Sequence, residues 1–189
     1  MRGHEQIRRH QDIQAVHPHG GDLNVHSDPA TLQGSDRGEP QRVQIELFTD
    51  IAAVRPGDTV TVALRQIIAP GWHTYWTNPG DSGEPTRINW SLPEGASAGP
   101  IQWPLPHAIP VGPLTNYGYS DEVTLLSEIK VPAGAPGPSF DITAEAKWLV
   151  CEQICIPEEK TVRLTLPLIG EGVTPRPSPR KAEIEGRAG

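Results

Sequence analysis

The stretch KWLVCEQICIPEEKTVRL, residues 147–164, holds both cysteines of the chain, Cys151 and Cys155, and its reading decides the fold. In one extended strand each residue advances the chain by about 3.3 Å. The two α-carbons would then stand roughly 13 Å apart, beyond the roughly 7 Å within which a disulfide forms. A helix brings positions i and i+4 together. However, Trp148, Leu149, Val150, Ile154 and Ile156 are mostly bulky or β-branched, and Pro157 interrupts a helix. A hairpin remains. With Glu152-Gln153-Ile154 as its loop, Cys151 faces Cys155 across two antiparallel strands, where opposed α-carbons lie about 4.5–5.5 Å apart.

Outward from this hairpin, the middle of the chain reads as strand after strand. RVQIELFTD (42–50) alternates Val43, Ile45 and Leu47 with polar neighbours, and DTVTVALRQI (58–67) repeats the pattern with Val60, Val62 and Leu64. WHTYWT (72–77), TRINWSL (86–92), EVTLLSEIKV (122–131), FDITAEAKWLV (140–150) and KTVRLTLPL (160–168) follow, joined by the turn-rich NPGDSGEP, LPEGASAGP and PAGAPGPS. No helical period is sustained. Short strands with Pro/Gly turns predict an all-β fold, an immunoglobulin-like antiparallel β-sandwich. True immunoglobulin domains link their two sheets by a disulfide of long sequence separation, so this close pair is a different bond.

The chain has 189 residues, with 21 Pro and 19 Gly, and every Trp, Tyr and Phe lies between Phe48 and Trp148. Five of the seven histidines precede residue 27, in a stretch with neither aromatics nor apolar periodicity. Residues 1–40 are therefore expected to be a disordered segment, whose His-Pro-His run is a loose metal binder at most. Residues 41–168 hold the core of one domain, and 169–189 are expected to be a disordered tail or linker. Ile184-Glu185-Gly186-Arg187 matches a factor Xa cleavage sequence and reads as an appended end. A net charge of −7 without a basic face argues against nucleic acid. No apolar run is long enough to span a bilayer, and no charged-then-apolar signal opens the chain.

Residue chemistry alone leaves the cysteines open. As a staple, so short a loop contributes only about 2 kcal/mol, against about 3 for a fifteen-residue loop. Two buried free thiols, packing as small hydrophobes, are a second reading. Zinc wants four ligands, and neither His73 nor His107 stands at ligand spacing to the pair. A blue-copper centre usually adds an axial Met, and Met1 is the only one. No metal or other cofactor is expected. A structural bond and a redox-active pair both remain.

Three segments in order, GWHTYWTNPGDSGEPT (71–86), NYGYSDEVTLL (116–126) and WLVCEQICIPEEKTVRLTLP (148–167), resemble the periplasmic N-terminal (alpha) domain of the DsbD/ScsB thiol-disulfide reductases. The resemblance spans about 41–168, and the cysteine segment with its Ile-Pro-Glu is its most specific part. It implies an immunoglobulin-like domain whose cysteine pair receives electrons from a membrane-embedded reductase domain. The pair would hand them to oxidised periplasmic proteins such as thioredoxin-fold disulfide isomerases. It also implies that Cys155 is the nucleophile and Cys151 the resolving thiol. The best-studied members have a longer gap between their cysteines, and the short spacing is more like the ScsB branch. Their cap over the disulfide carries an acidic pair and a Phe beside Tyr-Gly. Here Leu114 and Thr115 stand at the acids and Asn116 at the Phe, so Asn116, Tyr117, Gly118 and Tyr119 are the expected cap, folded over the cysteines.

Neighbouring residues point the same way on roles. Glu152 disfavours a thiolate at Cys151, while Pro157 lacks an amide and keeps the edge beside Cys155 open. Trp72, Tyr75, Trp76, Trp90 and Trp148 read as core, and Glu158 and Glu159 as solvated. The competing function is a β-sandwich binding module for carbohydrate or protein, with Trp72, Trp76 and Trp103 as a stacking surface and an inert disulfide. The absent signal, taken alone, points to the cytoplasm. A reductase of this kind needs an oxidising compartment, so the expectation is a periplasmic domain, monomeric in isolation, in a chain with a displaced start or excised from a longer protein.

Overall fold

A computed structural model describes residues 40–186. The expected segment 1–40 lies outside the described residues except for Pro40, as do 187–189. The apolar alternation seen in the sequence becomes the two inner faces of a sandwich. Strands β1 (Val43–Thr49), β2 (Thr59–Ile68), β8 (Glu122–Lys130) and the short β5 (Ser97–Ala98) form one sheet in the order β1-β2-β8-β5. Strands β4 (Arg87–Ser91), β9 (Ser139–Cys151) and β10 (Cys155–Pro167) form the second, in the order β10-β9-β4. All these pairings are antiparallel.

Val43, Ile45, Leu64, Ile68, Val123 and Leu125 of the first sheet meet Ala144, Ala146, Trp148 and Val150 of the second in one buried cluster. Val60, Val62, Ile129, Phe140, Ile142 and Leu166 close the far end. The fold is thus the expected immunoglobulin-like sandwich. Phe140, Ile142, Ala144, Ala146, Trp148 and Val150 all take the inward side of β9, the period-two signature of a strand with one face on the core.

A third sheet, in the order β3-β7-β6, sits at the cysteine end of β9 and comprises β3 (Thr74–Gly80), β6 (His107–Val111) and β7 (Leu114–Tyr119). Here the structure differs from the sequence reading. The stretch expected to be an irregular cap is the central strand β7, paired on one side with β3 and on the other with β6. Its buried positions are Asn116, Gly118 and Tyr119, only the last of them large and the last two adjacent, so the strand carries no hydrophobic alternation. Gly118 permits the pairing, because a Cβ there would collide with the carbonyl of Thr74.

The segment after β10 is a second difference. Instead of a disordered tail, residues 169–186 run back along the first sheet. Ala52 donates to the Arg176 carbonyl at 2.9 Å and Ser178 to that of Asp50 at 2.8 Å. The short helix α1 (Lys181–Glu185) buries Ile184 against Phe48, Ala63 and Leu126, the outward-facing apolar residues of that sheet. The Arg180 guanidinium stacks 3.7 Å over the Phe48 ring and pairs with Glu46 at 3.0 Å. Arg65 adds an ion pair to Glu183 at 3.1 Å, so backbone, apolar and charged contacts together hold a segment that has no apolar period of its own.

Candidate functional site

Cys151 and Cys155 face each other at the last rung of the β9–β10 ladder and are joined by a disulfide, with α-carbons 4.1 Å apart. Glu152 donates its amide to the Ile154 carbonyl at 3.0 Å, closing the three-residue loop expected from the sequence. The two sulfurs have unlike surroundings. Cys151 is 2% exposed, whereas Cys155 is open to solvent beside Ile154, itself 64% exposed. Pro157 opposes Leu149 two rungs further along the edge and has no amide to donate.

His73 ties β3 to this hairpin. Its amide donates to the Cys151 carbonyl at 2.9 Å, and the Cys151 amide donates to the His73 carbonyl at 3.0 Å. This pairing places Tyr75, two residues on and on the same side of the strand, over the disulfide, with its hydroxyl 3.9 Å from Cys155 Sγ. Tyr75 is 2% exposed, so it is both the core residue expected and the side chain in contact with the reactive bond. Burial raises its hydroxyl pKa above the ordinary value. The His73 ring meets that of Tyr75 edge-on, with Nε2 3.2 Å from the hydroxyl. Burial, and then the nearby His107, hold its imidazole below the usual histidine pKa.

Of the expected cap residues, Gly118 pairs with Tyr75 and Asn116 holds the loop beside it. Asn116 Oδ1 accepts from the Ser82 amide at 2.9 Å and from its hydroxyl at 3.1 Å, pinning the NPGDSGEP loop. Asp81 binds the backbone of Thr115 in both directions. The pinned loop presents Gly83, at φ +98°, flat against the Tyr75 ring, where a Cβ would overlap the ring atoms Cδ1, Cε1 and Cζ. Gly118 pairs directly with Tyr75, Tyr117 lies against Gly80, and Tyr119 is buried with its hydroxyl donating to the Pro104 carbonyl at 2.8 Å. The loop read as a plain turn therefore seats the aromatic ring over the sulfurs.

Two further groups escaped the sequence reading. Buried Gln66 donates to Thr86 at 3.0 Å and accepts from Thr74 at 3.1 Å, fixing the start of β3 from below. Glu158, read as solvated, accepts from the Arg42 and Val43 amides at 2.7 and 3.2 Å and from Trp148 Nε1 at 3.1 Å. It locks the first strand to the cysteine hairpin. No local signal announces either, because each partner is distant in sequence. Pro157, Glu158 and Glu159 also line an open groove of about 700 Å³ with Glu84, Pro85, Arg87, Lys147, Trp148 and Leu149, beginning two rungs from the disulfide. Trp72, Trp76 and Trp103 are half-buried against the main core cluster.

A disulfide at a hairpin tip, with one cysteine exposed and the other buried, suits thiol-disulfide exchange, which proceeds by attack on an accessible sulfur. The N-terminal periplasmic domain of ScsB from Proteus mirabilis aligns at 23% identity and a TM-score of 0.56, over 78% of this chain and 55% of that one. This chain therefore spans about half the length of the ScsB structure, and the likeness speaks for the fold. The reduced N-terminal domain of Neisseria meningitidis DsbD aligns at 14% identity and a TM-score of 0.38, over 64% of this chain and 86% of that one. No curated protein sequence matches this chain. The profile of the family described as "Thiol:disulfide interchange protein DsbD, N-terminal" matches residues 43–167, the whole sandwich from β1 to β10. With its cysteine pair joined at the hairpin tip, the chain belongs to that family of thiol-disulfide interchange domains.

Proposed function

We propose that this domain works in the periplasm as a relay, taking reducing equivalents from a membrane-embedded reductase domain and passing them to oxidised proteins there, thioredoxin-fold disulfide isomerases among them. The observation that carries the reading is the unequal exposure of the two cysteines, with Cys155 exposed and Cys151 2% exposed. In the reduced domain the Cys155 thiolate attacks the partner disulfide. A Cys155–partner bond forms, and the partner's second sulfur leaves as a thiolate and takes up a proton. Cys151, directly opposite on the same rung, then attacks Cys155 Sγ, re-forming the internal disulfide and releasing the partner as a dithiol. Reloading is the reverse, with the donor's thiolate attacking exposed Cys155. Two electrons pass to the partner over the two displacements together, and no cofactor takes part.

Ile154 beside Cys155 and the groove beyond Pro157 offer a surface on the scale of a protein partner rather than an enclosed pocket. Tyr75, with Gly118 paired to it and Asn116 holding the neighbouring loop, shields the bond until a partner docks. The test is to make Cys151→Ala and Cys155→Ala separately and mix each, reduced, with an oxidised disulfide isomerase. A mixed disulfide should accumulate with Cys151→Ala and be absent with Cys155→Ala. The opposite pattern reverses the roles, and trapping by neither refutes the relay.

A further inference from the structure

We propose that His73 is the positioning residue of a proton relay, His73–Tyr75–Cys155, which carries the proton that leaves or enters the Cys155 sulfur. The inference rests on the exchange chemistry proposed above and adds a group to it. Three atoms lie in a row: His73 Nε2 is 3.2 Å from the Tyr75 hydroxyl, which is 3.9 Å from Cys155 Sγ. Both rings are sealed from water, His73 at 5% and Tyr75 at 2% exposure. The Tyr75 hydroxyl therefore has no bulk water to exchange with, and its neighbours are the imidazole and the sulfur. The backbone bridge between His73 and Cys151 and the seat formed by Gly83 hold the row in place.

The row has two self-consistent states. With Cys155 as a thiol, S–H donates to the Tyr75 oxygen and the Tyr75 hydroxyl donates to neutral Nε2. When the thiol ionises, its proton passes to the Tyr75 oxygen as the tyrosine proton passes to Nε2. Tyr75 stays neutral, Nε2–H now donates to the tyrosine oxygen, and the tyrosine hydroxyl donates to the thiolate. Every hydrogen bond reverses, and the charge pair formed is imidazolium and thiolate. A thiolate beside a cation is the better populated nucleophile. Once Cys155 bonds to a partner its negative charge is gone, and burial returns His73 to its neutral form. The proton is then available for the partner's departing thiolate. The ionisable groups around His73 are Tyr75 on its own strand, His107 on β6, Cys151 and Cys155 on the hairpin, and Glu152 in the hairpin loop, beside Gly71.

The experiment is the pH profile of Cys155 alkylation by iodoacetamide in the reduced Cys151→Ala protein, carrying in turn His73, His73→Phe, His73→Gln and Tyr75→Phe. The parent should alkylate about tenfold faster near pH 7 than His73→Phe, its midpoint lying about one unit lower. Tyr75→Phe, which keeps the ring and loses only the hydroxyl, should match His73→Phe. Combining the two should add nothing further. His73→Gln, which offers hydrogen bonds but no base, should not restore the parent profile. In the wild-type protein the His73 imidazole, followed by NMR, should titrate higher in the reduced state than in the oxidised one. Superposable profiles overturn the relay, as does a shift with Tyr75→Phe that His73→Phe lacks. No partner protein enters this measurement, so it fails or succeeds independently of the mixed-disulfide test.

Discussion

Gly83→Ala probes the seat of Tyr75. A Cβ at residue 83 would fall on ring atoms Cδ1, Cε1 and Cζ of Tyr75, and the backbone there has φ +98°, a region that L side chains rarely adopt. The strained backbone costs about 1–3 kcal/mol. Overpacking against the ring costs about 1–3 kcal/mol more. Together they give a loss of roughly 4 kcal/mol, a large part of the 5–15 kcal/mol that holds an ordinary domain folded. With a urea slope of about 2 kcal/mol/M, the midpoint of the oxidised protein should drop by about 2 M. The steric share can be separated from the backbone share by a double-mutant cycle with Tyr75→Ala, which alone should cost about 3–5 kcal/mol. With the ring gone the new methyl group meets empty space, so the double mutant should be more stable than the sum by about 1–3 kcal/mol. Because the ring is pushed away from Cys155 Sγ, dithiothreitol should also reduce the Gly83→Ala disulfide faster than the wild-type bond. Additivity within about 0.5 kcal/mol, with an unchanged reduction rate, would refute the seating of Tyr75 by Gly83.

Glu158→Ala removes one carboxylate that accepts from two amides and the Trp148 indole, and should destabilise by about 2–4 kcal/mol in urea titration. An exposed glutamate of the same hairpin, such as Glu159, should change stability by less than about 0.5 kcal/mol. Ile184→Ala should cost about 2–4 kcal/mol, read from the same titration, because the side chain is 5% exposed among Phe48, Ala63 and Leu126. An unchanged midpoint would mean that α1 does not hold this packing in solution. His73 sets a pH dependence. Its folded pKa lies below the ordinary 6.5, so the unfolded chain takes up the proton first as the pH falls. Its share of stability is therefore complete above 6.5 and is lost as pH drops from there through the lowered folded value. Urea midpoints across that window should fall for the wild type and fall less for His73→Phe.

What the sequence shows directly is whatever burial writes as alternation. β1, β2 and β9 bury apolar residues at alternate positions, and their pattern survives without knowledge of the partner strand. The cysteine hairpin is legible for the same reason, helped by the geometry that rules out a single strand. β7 hides because its buried residues include Asn116 and Gly118, chosen for hydrogen bonding and close approach. The order of residues 169–186 hides because it depends on Arg180 and Ile184 finding Phe48 and Glu46 across the chain. The site divides likewise. The sulfurs announce themselves by spacing, while the contact of Tyr75 with Cys155 depends on the bridge between His73 and Cys151, which only the folded chain creates.

The β9–β10 ladder pairs 13 residues with 13, and the disulfide occupies only its last rung. Opening that bond removes one fastening from a seam stitched along its entire length, so the two sulfurs remain opposite one another. Reduction therefore asks no part of the scaffold to travel. The domain can shuttle between its two oxidation levels like a rigid plug whose contacts never leave their socket. In the relay proposed above, what remains for each exchange is the meeting with a partner at Cys155, not the rebuilding of the protein.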